Sequence, residues 1–86
     1  MDYYYSVITT DKGSHYFNKC SSIAELGDYL EKTSMTIKGL NQTIDNIVVS
    51  GVINKKEFEI KSNEVHNGID NMLTLVTLKT EILKNE

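Results

Sequence analysis

Residues 22–40 read SIAELGDYLEKTSMTIKGL and have the hydrophobic spacing of an amphipathic helix. The apolar residues of this stripe lie three, four, seven and three positions apart: Ile23, Leu26, Leu30, Ile37 and Leu40. Ser22 and Glu25 have the spacing of a capping box, in which each side chain satisfies a backbone N–H of the first helical turn. The pattern predicts a helix that begins near residue 23 and needs a second apolar surface to pack against.

The C-terminal end of this helix is open to two interpretations. Thr33, Ser34 and Thr36 compete with the helix for backbone hydrogen bonds, which favours a helix from residue 23 to about residue 32. The alternative is a longer helix that ends in a C-terminal cap at Gly39. We favour the shorter helix.

The other segments are short and rich in β-branched and aromatic residues, as is typical of strands. Strands are predicted at Tyr3–Thr10, His15–Cys20, 46–53, 57–61 and 71–83. Gly51 indicates a bulge inside the third of them. The tail at 71–83 also has apolar spacing that would suit a helix capped by Asp70, but its β-branched residues favour a strand.

The resulting order is β-β-α-β-β-β over residues 1–86, which we interpret as a small single domain of the α+β class. An antiparallel sheet of about four or five strands would have one α-helix packed across one face. This helix is the expected cover for the apolar face of the sheet.

The charged residues argue against direct binding of nucleic acid. The chain has nine Lys and no Arg, against twelve Asp and Glu, so its net charge is −3. Nucleic acid repels a negatively charged surface, and bidentate recognition of phosphates and bases depends on the guanidinium group of Arg. We therefore expect a protein partner rather than a nucleic acid.

The sequence predicts a cytoplasmic protein without a membrane anchor. Cys20 is the only cysteine, so an internal disulfide is impossible, and small domains without disulfides are typical of reducing compartments. There is no apolar run long enough to cross a membrane, and the first residues lack the pattern of a signal peptide.

Cys20, His15 and His66 are the only candidates for nucleophilic chemistry. His15 and Cys20 lie five positions apart on a predicted strand, so their side chains point to opposite faces. Lys19 also points away from Cys20 and cannot activate the thiol. We expect Cys20 to be a buried structural residue and His66 to be solvated, and we predict no catalytic residue, no metal site and no cofactor.

Three consecutive tyrosines, Tyr3, Tyr4 and Tyr5, must place rings on both faces of the first strand. Because one face serves the core, at least one ring should stay exposed, and Tyr16 with Phe17 repeats this pattern on the second strand. Tyrosine is favoured at protein interfaces, since it gives a large contact area and loses little rotamer entropy.

Glu57 and Glu59 share one face of the predicted strand 57–61. Ordinary solvation of an outer face explains them, and the alternative is an acidic patch that meets a basic partner surface. The predicted partner-binding residues are Tyr3, Tyr4, Tyr5, Tyr16, Glu57 and Glu59.

A short, acidic domain rich in Lys and Asn resembles the accessory proteins that bacterial phages and mobile elements carry. Many of these are similar to anti-CRISPR or other anti-defence inhibitors. The resemblance implies a non-enzymatic protein that covers a surface of a bacterial host protein, such as a nucleic-acid-binding effector, in a stoichiometric complex.

The alternative function is sequestration of a small molecule or nucleotide by a homo-oligomer. A pocket between protomers would then need convergent polar groups, for which His15, Lys12 and Tyr5 are the candidates. An open sheet edge offers unpaired backbone groups, so the chain is also a candidate for a homodimer.

Overall fold

The structure is a computed structural model that describes residues 1–63 and 68–85. Within those residues it has four strands and two helices: β1 (Tyr3–Thr10), β2 (His15–Cys20), α1 (Ile23–Gly39), β3 (Ile44–Ile53), β4 (Lys56–Ser62) and α2 (Gly68–Lys84). The strands form one antiparallel sheet in the order β2-β1-β3-β4. The α+β class and the antiparallel sheet are confirmed, and β2 and β4 are the edges of the sheet.

Both helices pack on the same face of the sheet, α1 over β1 and β2, and α2 over β3 and β4, and they contact each other. The core lies between this face and the two helices. Its fully buried members include Ile8, Leu26, Leu30, Ile37, Ile47, Val49, Ile53, Met72 and Val76. Each helix therefore covers one half of the sheet.

The first helix begins where the sequence predicts. Ser22 Oγ accepts a hydrogen bond from the backbone N–H of Glu25 at 3.2 Å, as the N-cap of a capping box does. The Glu25 carboxylate accepts a hydrogen bond at 3.0 Å from the backbone N–H of Ser21, the residue before the N-cap.

The preferred end of α1 near Lys32 is wrong, because the helix continues to Gly39. Thr33 and Ile37 extend the buried stripe, and the hydroxyl of Thr36 donates to the carbonyl of Lys32 at 3.1 Å instead of breaking the helix. The chain turns at Asn41, whose φ of 57° is left-handed, rather than at the glycine.

The predicted strand at 71–83 is also wrong, since this segment lies in α2. Two of its three threonine hydroxyls are satisfied inside the helix: Thr74 donates to the carbonyl of Asp70 at 2.9 Å, and Thr77 to that of Leu73 at 2.7 Å. The buried residues recur at helical spacing and are Gly68, Met72, Val76, Thr80 and Leu83. A four-stranded sheet needs this second helix, because α1 covers only β1 and β2.

Gly51 lies in β3 opposite Tyr4 and Phe58, and the register is continuous on both sides of it. No bulge therefore occurs at Gly51; the register shift lies where Thr9 pairs with Asn46 and Thr10 with Ile44, so Asp45 is the extra residue of β3. A glycine is needed at position 51 because a Cβ atom there would overlap the backbone carbonyl oxygen of Tyr3.

Candidate protein-binding face

The side of the sheet that faces away from the helices is formed by alternate residues of the four strands. The pairing register brings them into cross-strand rows, such as Lys19–Tyr5–Ser50–Glu59 and Phe17–Val7–Val48–Lys61. We name this side the open face. Its residues are Tyr3, Tyr5, Val7, Thr9, His15, Phe17, Lys19, Asn46, Val48, Ser50, Val52, Glu57, Glu59 and Lys61.

The open face has an apolar centre. Phe17 of the edge strand β2 is 73% exposed, and Tyr5 of the central strand β1 is 44% exposed. Val7 lies directly between Phe17 and Val48, so one row across the sheet is apolar over three strands. Both helices lie on the other side of the sheet, so the side chains of this row are available to a partner.

The two tyrosines of the open face are held in fixed positions by their neighbours. The rings of Tyr3 and Tyr5 meet edge to face, with centroids 5.1 Å apart. Lys19 Nζ lies 4.8 Å from the centroid of Tyr3 and 5.7 Å from that of Tyr5. Such aromatic and cation–π contacts reduce the freedom that the rings would lose on binding.

The open face is acidic at the β4 edge. Glu57 and Glu59 are exposed and line a shallow depression together with Tyr3 and Tyr5. Glu59 Oε1 lies 3.6 Å from Nζ of Lys61, but both side chains are mostly exposed, so this pair contributes little stability. An aromatic floor with carboxylates at its border suits a partner surface with an apolar side chain and a nearby cation.

Four of the six predicted partner-binding residues therefore lie together on the open face: Tyr3, Tyr5, Glu57 and Glu59. The other two lie on the helix side. Tyr4 is 3% exposed and belongs to the core, and Tyr16 is half-buried against the core. Alternation along each strand is the physical reason, because neighbours in sequence point to opposite faces.

Phe17 was not among the predicted partner-binding residues, although it is the most exposed aromatic side chain of the described residues. The sequence contained a signal for it. Cys20, expected to be buried, shares its face with Asn18 and Tyr16, which leaves Phe17 with Lys19 on the opposite face. Counting back from the cysteine would have selected Phe17 over Tyr16.

Cys20 is buried on the helix side, and its thiol lies 3.9 Å from the backbone carbonyl oxygen of Tyr4. Burial, and secondarily the negative charge of Glu25, raise the pKa of the Cys20 thiol. His15 and Lys19 lie on the open face, so neither meets this thiol. The arrangement keeps the thiol protonated and unreactive at neutral pH.

Within residues 1–63 and 68–85 there is no group of three or more His, Cys, Asp or Glu side chains placed to hold a metal ion. His66 lies outside the described residues, so its solvation stays a prediction. The depressions lined by Tyr5 include neither Lys12 nor His15, the polar groups expected beside a sequestering pocket.

Neither α1 nor α2 combines the length and the apolar character needed to traverse a lipid bilayer. The fold and the face together define a two-layer α+β protein with four strands and two helices among its described residues and an uncovered aromatic sheet face. Comparison of the chain with protein-family models, with curated proteins and with solved structures gives no match.

Proposed function

We propose that this chain is a non-enzymatic protein-binding module whose open face covers a surface of a partner protein. The observation that carries the proposal is the exposure of Phe17 and Tyr5 on a sheet face that neither helix covers. Exposed aromatic side chains at the centre of a patch are the residues that contribute most to protein association.

The partner needs an apolar pocket or ridge that meets the row of Phe17, Val7 and Val48. It also needs basic groups opposite Glu57 and Glu59, at the β4 border of the same face. Proteins that bind nucleic acid carry such basic surfaces, and a domain with a net charge of −3 is attracted to them. In full, the proposal is a stoichiometric inhibitor of a bacterial host protein, of the anti-CRISPR or other anti-defence type.

The experiment is capture of partners from a bacterial lysate by the tagged protein, followed by measurement of affinity for the purified partner. Phe17→Ala is the test variant, and Met35→Ala is the matched control, because Met35 is 68% exposed but lies on α1, away from the open face. Phe17→Ala should weaken binding about thirtyfold or more, as expected for an exposed aromatic residue that the partner buries. Met35→Ala should bind like the unmodified chain.

Equal loss of binding in both variants would contradict the assignment to the open face, as would full binding by the Phe17 variant. Glu57→Lys with Glu59→Lys gives a second readout. Loss of the acidic border should lower the association rate and weaken its dependence on salt, whereas an unchanged salt dependence would contradict the basic partner surface.

A further inference from the structure

The two edges of the sheet are not equivalent. On the β2 edge, the hydroxyl of Tyr29 in α1 donates a hydrogen bond to the backbone carbonyl of Phe17 at 3.3 Å. Along residues 57–62 of β4, the described part of the chain places no comparable side-chain bond on the strand backbone. The β4 edge therefore keeps backbone groups that a further strand could pair with.

An apolar stripe runs along the exposed side of α2 and begins, at Leu75, beside the end of β4. Its members are exposed by 44–55% and lie three and four residues apart: Leu75, Leu78 and Ile82. Leu75 borders a groove with Lys61 and Ser62 at the end of β4. The opposite flank of α2 is occupied, since Leu73 packs at the groove beside Gly27 of α1.

We infer that this edge and this stripe pair with a second copy of the chain, β4 against β4 in antiparallel orientation. Neighbouring strands lie about 4.8 Å apart, so α2, which covers β3 and β4, would lie about 9.6 Å from its copy. This is an ordinary distance between packed helices. The second copy's α2 would pack against one flank of α2, and α1 packs against the other flank.

Charge complementarity selects the register. When Ile60 lies opposite Ile60 of the second copy, Glu59 lies opposite the second copy's Lys61, and Lys61 opposite its Glu59. Two opposite-charge cross-strand pairs then form on the open face. A register centred on Glu59 places two carboxylates against each other, and one centred on Phe58 places Glu57 against Glu59.

The same register aligns the helices. α2 runs antiparallel to β4, since Leu75 lies near Ser62, while the carbonyl of Leu83 accepts a hydrogen bond at 3.3 Å from the side chain of Asn54, just before β4. A two-fold axis at Ile60 therefore lies near the middle of the stripe, and we expect Leu78 to approach its own copy and Leu75 to approach the second copy's Ile82. Strand pairing and burial of the stripe occur together.

The dimer would contain one eight-stranded sheet, with both open faces on the same side. This proposal uses the β4 edge and α2 rather than the row of Phe17, Val7 and Val48, so it does not depend on the proposed function; Glu59 is the residue that both proposals use. The mass of the purified chain in solution tests it without any partner. We expect the mass of two chains, with dissociation on dilution.

Leu78→Glu should convert the dimer to the mass of one chain, because it buries a carboxylate at the two-fold axis. Met35→Glu is the matched control, since Met35 is an apolar residue of α1 that is at least as exposed as Leu78, and it should remain dimeric. A single-chain mass for the unmodified protein at every soluble concentration would overturn the proposal, as would a dimeric Leu78→Glu.

Charge exchange tests the register. Glu59→Lys and Lys61→Glu alone each place like charges opposite one another and should weaken self-association about tenfold or more. Mixing the two variants restores both opposite-charge pairs. The heterodimer should therefore be tighter than the homodimer of either variant. Circular dichroism checks that each variant is folded. No heterodimer between two folded variants would contradict the register centred on Ile60.

Discussion

Tyr4 of β1 and Phe58 of β4 are not on neighbouring strands, yet their rings meet edge to face with centroids 5.9 Å apart. The strand between them presents Gly51 at this point, paired with Tyr4 on one side and with Phe58 on the other. Because the glycine has no side chain, the two rings meet above it. This contact joins the two halves of the sheet beneath the helices.

Gly51→Ala should therefore destabilise the fold strongly. The new Cβ would overlap the carbonyl oxygen of Tyr3, so the backbones of β1 and β3 must move apart. We expect a loss of about 3 kcal/mol in the free energy of unfolding, measured by chemical denaturation. Ser50→Ala, the neighbouring substitution on the open face, should change it by no more than about 0.5 kcal/mol. Similar stabilities for the two variants would contradict this role of Gly51.

The hydroxyl of Tyr4 lies 3.3 Å from Oγ1 of Thr80 in α2, and both residues are buried. Tyr4→Phe should cost about 1 kcal/mol of stability, and so should Thr80→Val, because each removes one partner of a buried hydrogen bond. The double variant should cost less than the sum of the two. A double-mutant cycle from denaturation curves measures this coupling, and strict additivity would show that the hydroxyls do not interact.

The β3–β4 turn contains a substitution that should stabilise the protein. Asn54 and Lys55 both have positive φ, 51° and 66°, as a two-residue type I′ turn requires. Glycine adopts this conformation without strain, so Lys55→Gly should raise the melting temperature and stabilise the fold by about 1 kcal/mol. Lys12→Gly is the control. Lys12 also lies in a turn but does not have a positive φ, so this substitution should not stabilise the protein. A lower melting temperature for Lys55→Gly would refute the prediction.

Cys20 should make stability depend on pH in the alkaline range. Burial raises the pKa of this thiol in the folded chain, so the unfolded chain loses the proton first as the pH rises. Below about pH 8.5 the Cys20 thiol is protonated in both the folded and the unfolded chain, and its contribution to stability is fully present. Above that pH the thiol of the unfolded chain loses its proton, which stabilises the unfolded state. The free energy of unfolding should therefore fall with rising pH in the unmodified chain and fall less steeply in Cys20→Ala. Parallel pH profiles for the two proteins would argue against a raised pKa.

Much of the sheet could be predicted because the relevant residues act locally. The alternation that predicts β1 and β2 depends on neighbours in sequence, and both strands are confirmed. The turn between them has Gly13 at a φ of 79°. The tail could not be assigned in the same way. Its threonines favour a strand when considered alone, and they become helical because α2 buries Met72 and Val76 over the half of the sheet that α1 leaves uncovered.

The open face, too, could be predicted only in part from the sequence. The period of two in β1 was sufficient to show that the tyrosines divide between two faces, but not which face the helices cover. That choice is settled by packing, which draws Tyr4 toward Thr80 and leaves Tyr5 outside. The position of Glu57 beside Tyr3 depends on the order of β1, β3 and β4, which no local pattern contains.

The hydrogen bond from Tyr29 to the carbonyl of Phe17 has a consequence for assembly. A sheet with two available edges can add copies at both ends, and such growth leads to fibres. A sheet with one occupied edge has a valency of one for strand pairing, so growth stops after a single addition. In this protein the hydroxyl of Tyr29 takes up one backbone carbonyl of the β2 edge, and we expect this contact to favour a closed pair of chains over an open polymer.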